Sequence, residues 1–173
     1  MTKVLILSDS HGLTKEIVEI KNRHHLKYMI HCGDSELSME DPVLEDIIKV
    51  RGNCDYDSGF PDEKIIKLDS LTFLITHGHL HDVRSGLTNL SYRATEKNAQ
   101  IVCFGHTHIA GAKKRGHQIF INPGSIRLPR NRSEKTYAIL EWETHDKIQV
   151  LFYNTNGKLI EDLTYITDLN DEM

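Results

Sequence analysis

Five short segments in the first two thirds of the chain each end in a side chain that can bind a metal ion. They are Asp9-Ser10-His11, Gly33-Asp34, Gly52-Asn53, His77-Gly78-His79 and Gly105-His106-Thr107-His108. Imidazole nitrogens together with carboxylate and amide oxygens can hold divalent cations. Two such cations can activate water and stabilise the negative charge that develops on a phosphate. The pattern therefore predicts metal-dependent hydrolysis of a phosphoric ester.

Strands are the elements that must position these side chains. Apolar runs at residues 4–7, 28–30, 73–75 and 101–104 precede four of the segments, and Val50 briefly precedes the Gly52-Asn53 segment. Short apolar runs bounded by polar turns are typical of buried strands. Ligands that follow strand ends can converge at one edge of a sheet.

The order of predicted elements indicates an α/β fold with a mixed sheet. Strands at 4–7 and 28–31 flank a helix at 13–23, which is a βαβ arrangement, and a weaker helix is predicted at 42–48. A hairpin at 64–76 and a surface helix at 87–98 follow. The pattern after His108 then becomes rich in strands, at 111–114, 117–121, 136–142 and 147–153.

Size and charge restrict the functional class. A chain of 173 residues fits one domain, residues 1–173, in which the acidic segment from about 160 to 173 is predicted as a tail. A net charge of -4 disfavours binding of nucleic acid except as a substrate. The apolar runs are strand-sized and the start lacks the pattern of a secretory signal, which predicts a cytoplasmic protein with no membrane association. Exposed sheet edges in the carboxy-terminal half would allow a homo-oligomer.

The order of the motifs D-x-H, G-D, G-N, H-G-H and G-H-T-H resembles that of the calcineurin-like metallophosphoesterases over residues 1–125. Within that superfamily, Gly52-Asn53-Cys54-Asp55 and Asn122-Pro123-Gly124-Ser125 are most similar to the small YfcE-type phosphodiesterases. The resemblance implies two packed mixed β-sheets flanked by helices, with two divalent metal ions at the sheet edge.

The resemblance also implies a role for each ligand. Asp34 would bridge the two metal ions, because a carboxylate has two oxygens to share. Asp9, His11 and His108 would complete the first ion, and Asn53, His77 and His106 the second. Mn is the expected metal, with Fe, Zn or Ni as alternatives. Taken singly, each residue could instead be an ordinary turn or strand-end residue.

Other residues are expected to act on the substrate. His79 would contact the substrate or a bound water, or hold a ligand in orientation. Cys54 stands where many members of the superfamily have a histidine that protonates the leaving group. Asp55 is an alternative donor, although a structural role is favoured for it. In the loop at residues 126–132, Arg127, Arg130 or Arg132 could bind the phosphate or a remote part of the substrate, although a solvated surface turn would also explain each of them.

The leading hypothesis is that the protein is a phosphodiesterase in which a metal-bound hydroxide attacks phosphorus in line. The alternatives are a phosphomonoesterase and a non-catalytic protein-binding scaffold, because a retromer subunit looks like this family. The expected partner is a small phosphodiester, for which a cyclic nucleotide, a nucleic-acid end and another small diester are open alternatives.

Overall fold

Two β-sheets pack face to face in the computed structural model, which describes residues 1–170. The strands are β1 (Thr2–Leu7), β2 (Tyr28–His31), β3 (Ile48–Lys49), β4 (Glu63–Leu68), β5 (Leu71–Thr76), β6 (Ile101–Cys103), β7 (Gly111–Arg115), β8 (Gln118–Asn122), β9 (Thr136–Trp142), β10 (Ile148–Asn154) and β11 (Tyr165–Thr167). The helices are α1 (Lys15–His24) and α2 (Thr88–Glu96), and 3-10 turns form at Pro42–Leu44, His79–His81 and Glu161–Leu163.

Both sheets are mixed. The first has the order β11-β10-β9-β1-β2-β3, and the second has the order β4-β5-β6-β8-β7. In the first sheet β1 runs parallel to β2 and antiparallel to β9. In the second, β5, β6 and β8 are parallel neighbours. The expected fold class, two mixed sheets with flanking helices, is confirmed.

Strand β1 shows why the buried strands have continuous apolar sequences. Val4 and Ile6 face the second sheet, whereas Leu5 and Leu7 join the separate cluster that packs on α1. A strand buried on both faces needs apolar residues at successive positions. The second sheet is covered in the same way, because Leu90 of α2 packs in a third cluster on its outer face.

The predicted helix at 42–48 is wrong. The Asp41 side chain accepts a hydrogen bond from the Val43 N–H and starts only the short turn Pro42–Leu44. The chain then forms β3, in which Ile48 pairs with Ile30 of β2. Pairing with a neighbouring strand outweighs a weak helical preference.

The segment predicted as an acidic tail contains ordered elements. After the turn Glu161–Leu163, strand β11 pairs with β10 through Gln149 and Ile166. Residues 171–173 of the predicted tail lie outside the described residues. No helix within residues 1–170 is long and apolar enough to cross a bilayer.

Candidate metal centre

The predicted ligands converge because the strands that precede them are parallel neighbours. The Asp9 N–H donates to the Gly33 carbonyl beyond β1 and β2, and the Gly105 N–H donates to the His77 carbonyl beyond β5 and β6. The His106 N–H, on the second sheet, donates to Asp9 Oδ2 at 3.1 Å. Hydrogen bonds across the two sheets therefore gather the ligand loops at one edge.

The first group of converging ligand atoms belongs to Asp9, His11 and His108. Asp9 Oδ1 lies 3.8 Å from His11 Nε2 and 3.1 Å from His108 Nε2. The two Nε2 atoms are 3.3 Å apart. Donors bound to one cation at the usual bond lengths stand roughly 3 to 3.5 Å apart, so these atoms are already close to that spacing.

The second group consists of Asp9, Asp34 and His77. His77 Nε2 lies 3.1 Å from Asp34 Oδ2 and 3.8 Å from Asp9 Oδ1. The donor atoms of all three lie within 4.8 Å of one another. Asp9 is therefore common to both groups, whereas the resemblance gives the shared position to Asp34.

Two of the histidines are oriented by backbone carbonyls. His77 Nδ1 donates to the Cys32 carbonyl at 2.8 Å, and His108 Nδ1 donates to the Leu128 carbonyl at 2.7 Å. A carbonyl can only accept, so Nδ1 carries a proton, and Nε2 is the nitrogen left to face a cation. Metal-binding histidines are commonly held in this way.

The centre fits a divalent cation. Asp9 Oδ1 and His77 Nε2 are buried and have no hydrogen-bond partner among the described residues. Such atoms are rare in folded proteins and call for an ion or a water. A cation held by both atoms would satisfy them. Imidazole and carboxylate donors without a thiolate suit Mn, Fe, Zn or Ni.

The two carboxylates are held in their ionised form. Burial acts to raise the pKa of Asp9, but the nearby imidazole of His108 and the charge of His77 outweigh it and lower the pKa. Burial also opposes ionisation of Asp34, and His77 again lowers its pKa below the usual value. Two anionic groups in one largely buried cluster favour a bound cation.

His106 and Asn53 lie beside the second group. The ring centroid of His106 is 5.1 Å from that of His77. Burial, with smaller effects from nearby positive charges, lowers the pKa of His106 to about 4, so its ring is neutral and can donate a lone pair. Asn53 precedes Cys54, whose N–H donates to Asp34 Oδ1 at 2.8 Å, which places Asn53 in the loop that contacts the centre.

Two glycines allow the ligand loops to approach each other. A Cβ at Gly52 would collide with the carboxylate of Asp34, and a Cβ at Gly105 would collide with Ser8 Oγ and Asp9 Oδ2. Only glycine provides a backbone without this atom. The close approach of the ligand loops therefore depends on two glycines, which have no side chain that could bind a metal ion.

Five of the predicted ligands have left-handed backbone conformations. Their φ angles lie between +43° and +71°. They are Asp9, His11, Asp34, His106 and His108. Aspartate and histidine are among the residues that tolerate this region best, and strained backbone of this kind is concentrated at functional sites. The strain supports a functional role for this edge of the sheets.

The two predicted catalytic residues, His79 and Cys54, both lie beside the ligands. The His79 ring is 5.4 Å from the His77 ring and 6.2 Å from the His106 ring. Cys54 is exposed, and its Sγ lies within 4.8 Å of one nitrogen of His11 and one carboxylate oxygen of Glu36. Burial and the charge of Asp34 raise the pKa of the Cys54 thiol to about 11, so it is neutral near pH 7.

The arginines of the 127–132 loop have different surroundings. The Arg127 guanidinium donates to the His11 carbonyl. The backbone N–H of Arg130 donates to the His108 carbonyl at 3.0 Å. Arg132, the third candidate, is instead held in ion pairs with Glu134 and Asp162, the nearer at 2.7 Å. The loop therefore brings Arg127 and Arg130 to the centre.

Two residues at the centre were not predicted. Glu36 Oε1 lies 2.5 Å from His11 Nδ1, which leaves His11 Nε2 facing the first group. Its place two residues after Asp34 was the only signal that could have found it. Arg84 Nε donates to His106 Nε2 at 3.1 Å. No motif includes Arg84, and its proximity depends on the fold.

Asp55 is a structural residue of the centre. Its buried carboxylate accepts hydrogen bonds from the N–H groups of Asp34, Glu36 and Gly52, at 2.9, 2.8 and 2.7 Å. It therefore joins the loop that carries Asp34 to the loop that carries Asn53. These bonds occupy the side chain that was considered as an alternative proton donor.

The variant Asp55→Asn is expected to lower the free energy of unfolding by about 2 to 4 kcal/mol, because at least one buried N–H loses its acceptor. Urea unfolding of metal-free protein measures this loss. Asp57→Asn is the matched control, since the half-buried Asp57 accepts from Met39 and Gly59. We expect the control to lose less than about 1 kcal/mol. Equal losses in both variants would contradict the structural role of Asp55.

Comparisons with known proteins agree with this geometry. The profile of the calcineurin-like phosphoesterase superfamily domain matches residues 2–145. The probable metallophosphoesterase YsnB of Bacillus subtilis is 50% identical over 162 residues, which cover 92% of this chain and 95% of YsnB. The phosphodiesterase YfcE of Escherichia coli K12 is 26% identical, over 89% of this chain and 94% of YfcE.

A solved structure extends the comparison to three dimensions. The crystal structure of a conserved protein of Streptococcus pneumoniae, described as a predicted phosphoesterase, superimposes with a TM-score of 0.92. The two chains are 33% identical, and the match covers 96% of this chain and 97% of the other. The expected enzyme class, a phosphoric ester hydrolase, is confirmed, and the family implies divalent metal ions. The chain belongs to the calcineurin-like phosphoesterase superfamily.

Proposed function

We propose that this protein is a phosphodiesterase that uses two divalent cations, with Mn as the preferred metal. The observation that carries the proposal is the pair of overlapping ligand groups that share the unpartnered Asp9 Oδ1. Two groups that meet at one carboxylate favour two ions over one. The choice of Mn among the metals that suit these donors comes from the family resemblance.

The proposed ligands follow the two groups. Asp9, His11 and His108 would hold the first ion. Asp34, His77, His106 and Asn53 would hold the second, and Asp34 or Asp9 would bridge the pair. When bound, the two cations supply positive charge that activates a water molecule as the nucleophile and stabilises the transition state.

The side chains around the ligands would position the substrate. Arg127 and Arg130 can bind phosphate oxygens from the side of the first group. His79 can donate a hydrogen bond to the substrate from the side of the second group. Cys54 lies where a leaving group would need a proton, and its neutral thiol is a weak donor. The chain would thus bind and orient a phosphate well but protonate its leaving group poorly.

A diester is favoured over a monoester for two reasons. The relative YfcE is named a phosphodiesterase and matches most of both chains. A monoester dianion also carries more negative charge than a diester, and Glu36 beside His11 would repel it. A phosphomonoesterase is the alternative within the same chemistry.

Reconstitution with metal tests the proposed function. Metal-stripped protein is titrated with Mn while hydrolysis of bis(4-nitrophenyl) phosphate and of 4-nitrophenyl phosphate is measured. We expect diester hydrolysis to rise until two ions are bound per chain and to exceed monoester hydrolysis by at least ~10-fold. Faster monoester hydrolysis would favour the phosphomonoesterase. The absence of turnover with two ions bound would favour the non-catalytic scaffold.

Two other expectations stay predictions. Location in the cytoplasm is inferred from the sequence alone. A homo-oligomer would need an accessible sheet edge, and β7 and β11 each lie at the end of a sheet. Ile166 of β11 is 57% exposed, which makes this edge the better candidate for pairing with a second copy.

A further inference from the structure

A cavity of about 320 Å³ lies between the start of α2 and strands β7 and β8. Phe104 and Phe120 form its floor, and Val83 and Leu87 line it on the side of α2. Its volume is within the range of sites that bind small organic molecules. The cavity is therefore large enough for an aromatic ring system and is lined mainly by apolar groups.

The cavity adjoins the metal centre. Arg84 lines it and donates to His106 Nε2 at 3.1 Å. Thr107, which separates His106 from His108 in sequence, lines it as well, and its Oγ1 accepts a hydrogen bond from Asn122 Nδ2 at 2.9 Å. The cavity and the ligands thus share a wall.

The charge of the cavity suits an anionic molecule. Both charged residues that line it, Arg84 and Lys113, are basic. The Arg84 guanidinium donates its hydrogen bond to the lone pair of His106 Nε2. A cation bound through that nitrogen would replace this hydrogen bond and leave the guanidinium free beside the centre. There it could bind a phosphate oxygen or stack on an aromatic ring. A phosphate at the centre with a ring in the cavity would meet complementary groups at both places.

Gly111 leaves space at the mouth of the cavity. It pairs with Asn122, and Lys113 two residues later pairs with Phe120, so Gly111 is on the same outer face of the sheet. A Cβ at Gly111 would meet nothing within 4 Å. A large side chain at this position would therefore extend into the open space without colliding with the backbone.

We propose that this cavity receives the ester group of the phosphodiester that stays attached to phosphorus, and that this group carries an aromatic ring of about nucleobase size. This inference rests on the proposed function and adds the substrate class. Cys54, where the resemblance places the leaving group, lies within 4.8 Å of a nitrogen of His11 and donates its N–H to Asp34 Oδ1, whereas the cavity meets the centre through His106. The two ester groups would therefore occupy different places.

The reaction then releases a defined product. The water oxygen bonds to phosphorus, the bond from phosphorus to the leaving oxygen breaks, and that oxygen gains a proton. The ester bond to the group in the cavity stays intact, so this group departs as an aromatic phosphomonoester. The product would have the same contacts to the cavity as the substrate.

Two substrates with one leaving group test the assignment. Bis(4-nitrophenyl) phosphate and methyl 4-nitrophenyl phosphate both release 4-nitrophenolate and differ only in the retained group. We expect Gly111→Phe in metal-loaded protein to lower the ratio of their kcat/KM values by about tenfold, through a higher KM for the aryl substrate. Gly111→Ala, which adds only a methyl group, and Ile65→Phe on β4 should each keep the wild-type ratio.

Binding provides a second readout that does not need turnover. Phenyl phosphate should bind the loaded wild type about tenfold more tightly than methyl phosphate, and Gly111→Phe should remove that difference. An equal loss of kcat/KM for both diesters in Gly111→Phe would show that the metal centre is disturbed and would overturn the assignment. An unchanged kcat/KM ratio together with unchanged phenyl phosphate binding would overturn it as well. Failure of the proposed function is distinguishable, because wild type with two bound ions would then hydrolyse neither diester.

Discussion

Replacing Asp34 with asparagine is expected to lower kcat/KM for bis(4-nitrophenyl) phosphate by ~10³-fold or more, even at saturating Mn. The substitution removes one negative charge and one anionic oxygen from the second ligand group while the shape of the side chain is kept. Asparagine also tolerates the left-handed backbone of this position, where φ is +58°. The loss of cation charge at the phosphate is worth several kcal/mol, and each 1.4 kcal/mol is about tenfold in rate.

Metal content and folding must be measured in the same samples. We expect fewer than two Mn ions per chain in Asp34→Asn and a normal unfolding transition. Asp57→Asn carries the same change in charge at a side chain that only caps a nearby loop, and its rate should stay within about twofold of wild type. If Asp34→Asn retained both ions and full activity, the bridging role would pass to Asp9, which the two ligand groups share.

The second large effect concerns the leaving group. Because the neutral thiol of Cys54 is a poor proton donor, the rate of the wild-type protein should fall steeply as the leaving-group pKa rises. Introducing an imidazole with Cys54→His should accelerate hydrolysis of diesters with poor leaving groups by ~10²- to 10⁴-fold. Diesters that release 4-nitrophenolate need no such help and should change little.

A series of methyl aryl phosphates measures this dependence. Plots of log kcat/KM against leaving-group pKa should be steep for wild type and for Cys54→Ala, and shallow for Cys54→His. A shallow plot for wild type would reveal another proton donor, and His79 would be the first candidate. A steep plot for Cys54→Ala together with a shallow one for wild type would assign the proton transfer to the thiol itself.

The strands that position the ligands could be predicted because buried strands have apolar residues at successive positions in the sequence. Strand β5, for example, is apolar at successive positions and ends one residue before His77. The ligand types could be predicted for a similar reason, since few residue types bind cations. Each prediction of this kind depends on a short segment and its neighbours in sequence.

The remaining features depend on contacts between distant segments. Arg84 reaches His106 only because the chain turns after β5 and returns in β6, and no spacing rule describes that path. The sharing of Asp9 between two ligand groups likewise depends on how closely the two sheets approach. Strand β3 is too short to show the alternation of apolar and polar residues that indicates a strand. Its pairing with β2 therefore could not be predicted, and the same residues were predicted as a helix.

The left-handed backbone at five ligands has a consequence for the evolutionary record of this fold. Each such residue costs roughly 1 to 3 kcal/mol relative to an unstrained conformation, and glycine would relieve most of that cost. Selection for a bound cation opposes the replacement, because glycine has no donor atom. A lineage that abandoned catalysis would lose this opposition and would gain stability by accumulating glycines there. Glycine at position 9 or 34 in a distant relative would thus record a former metal site.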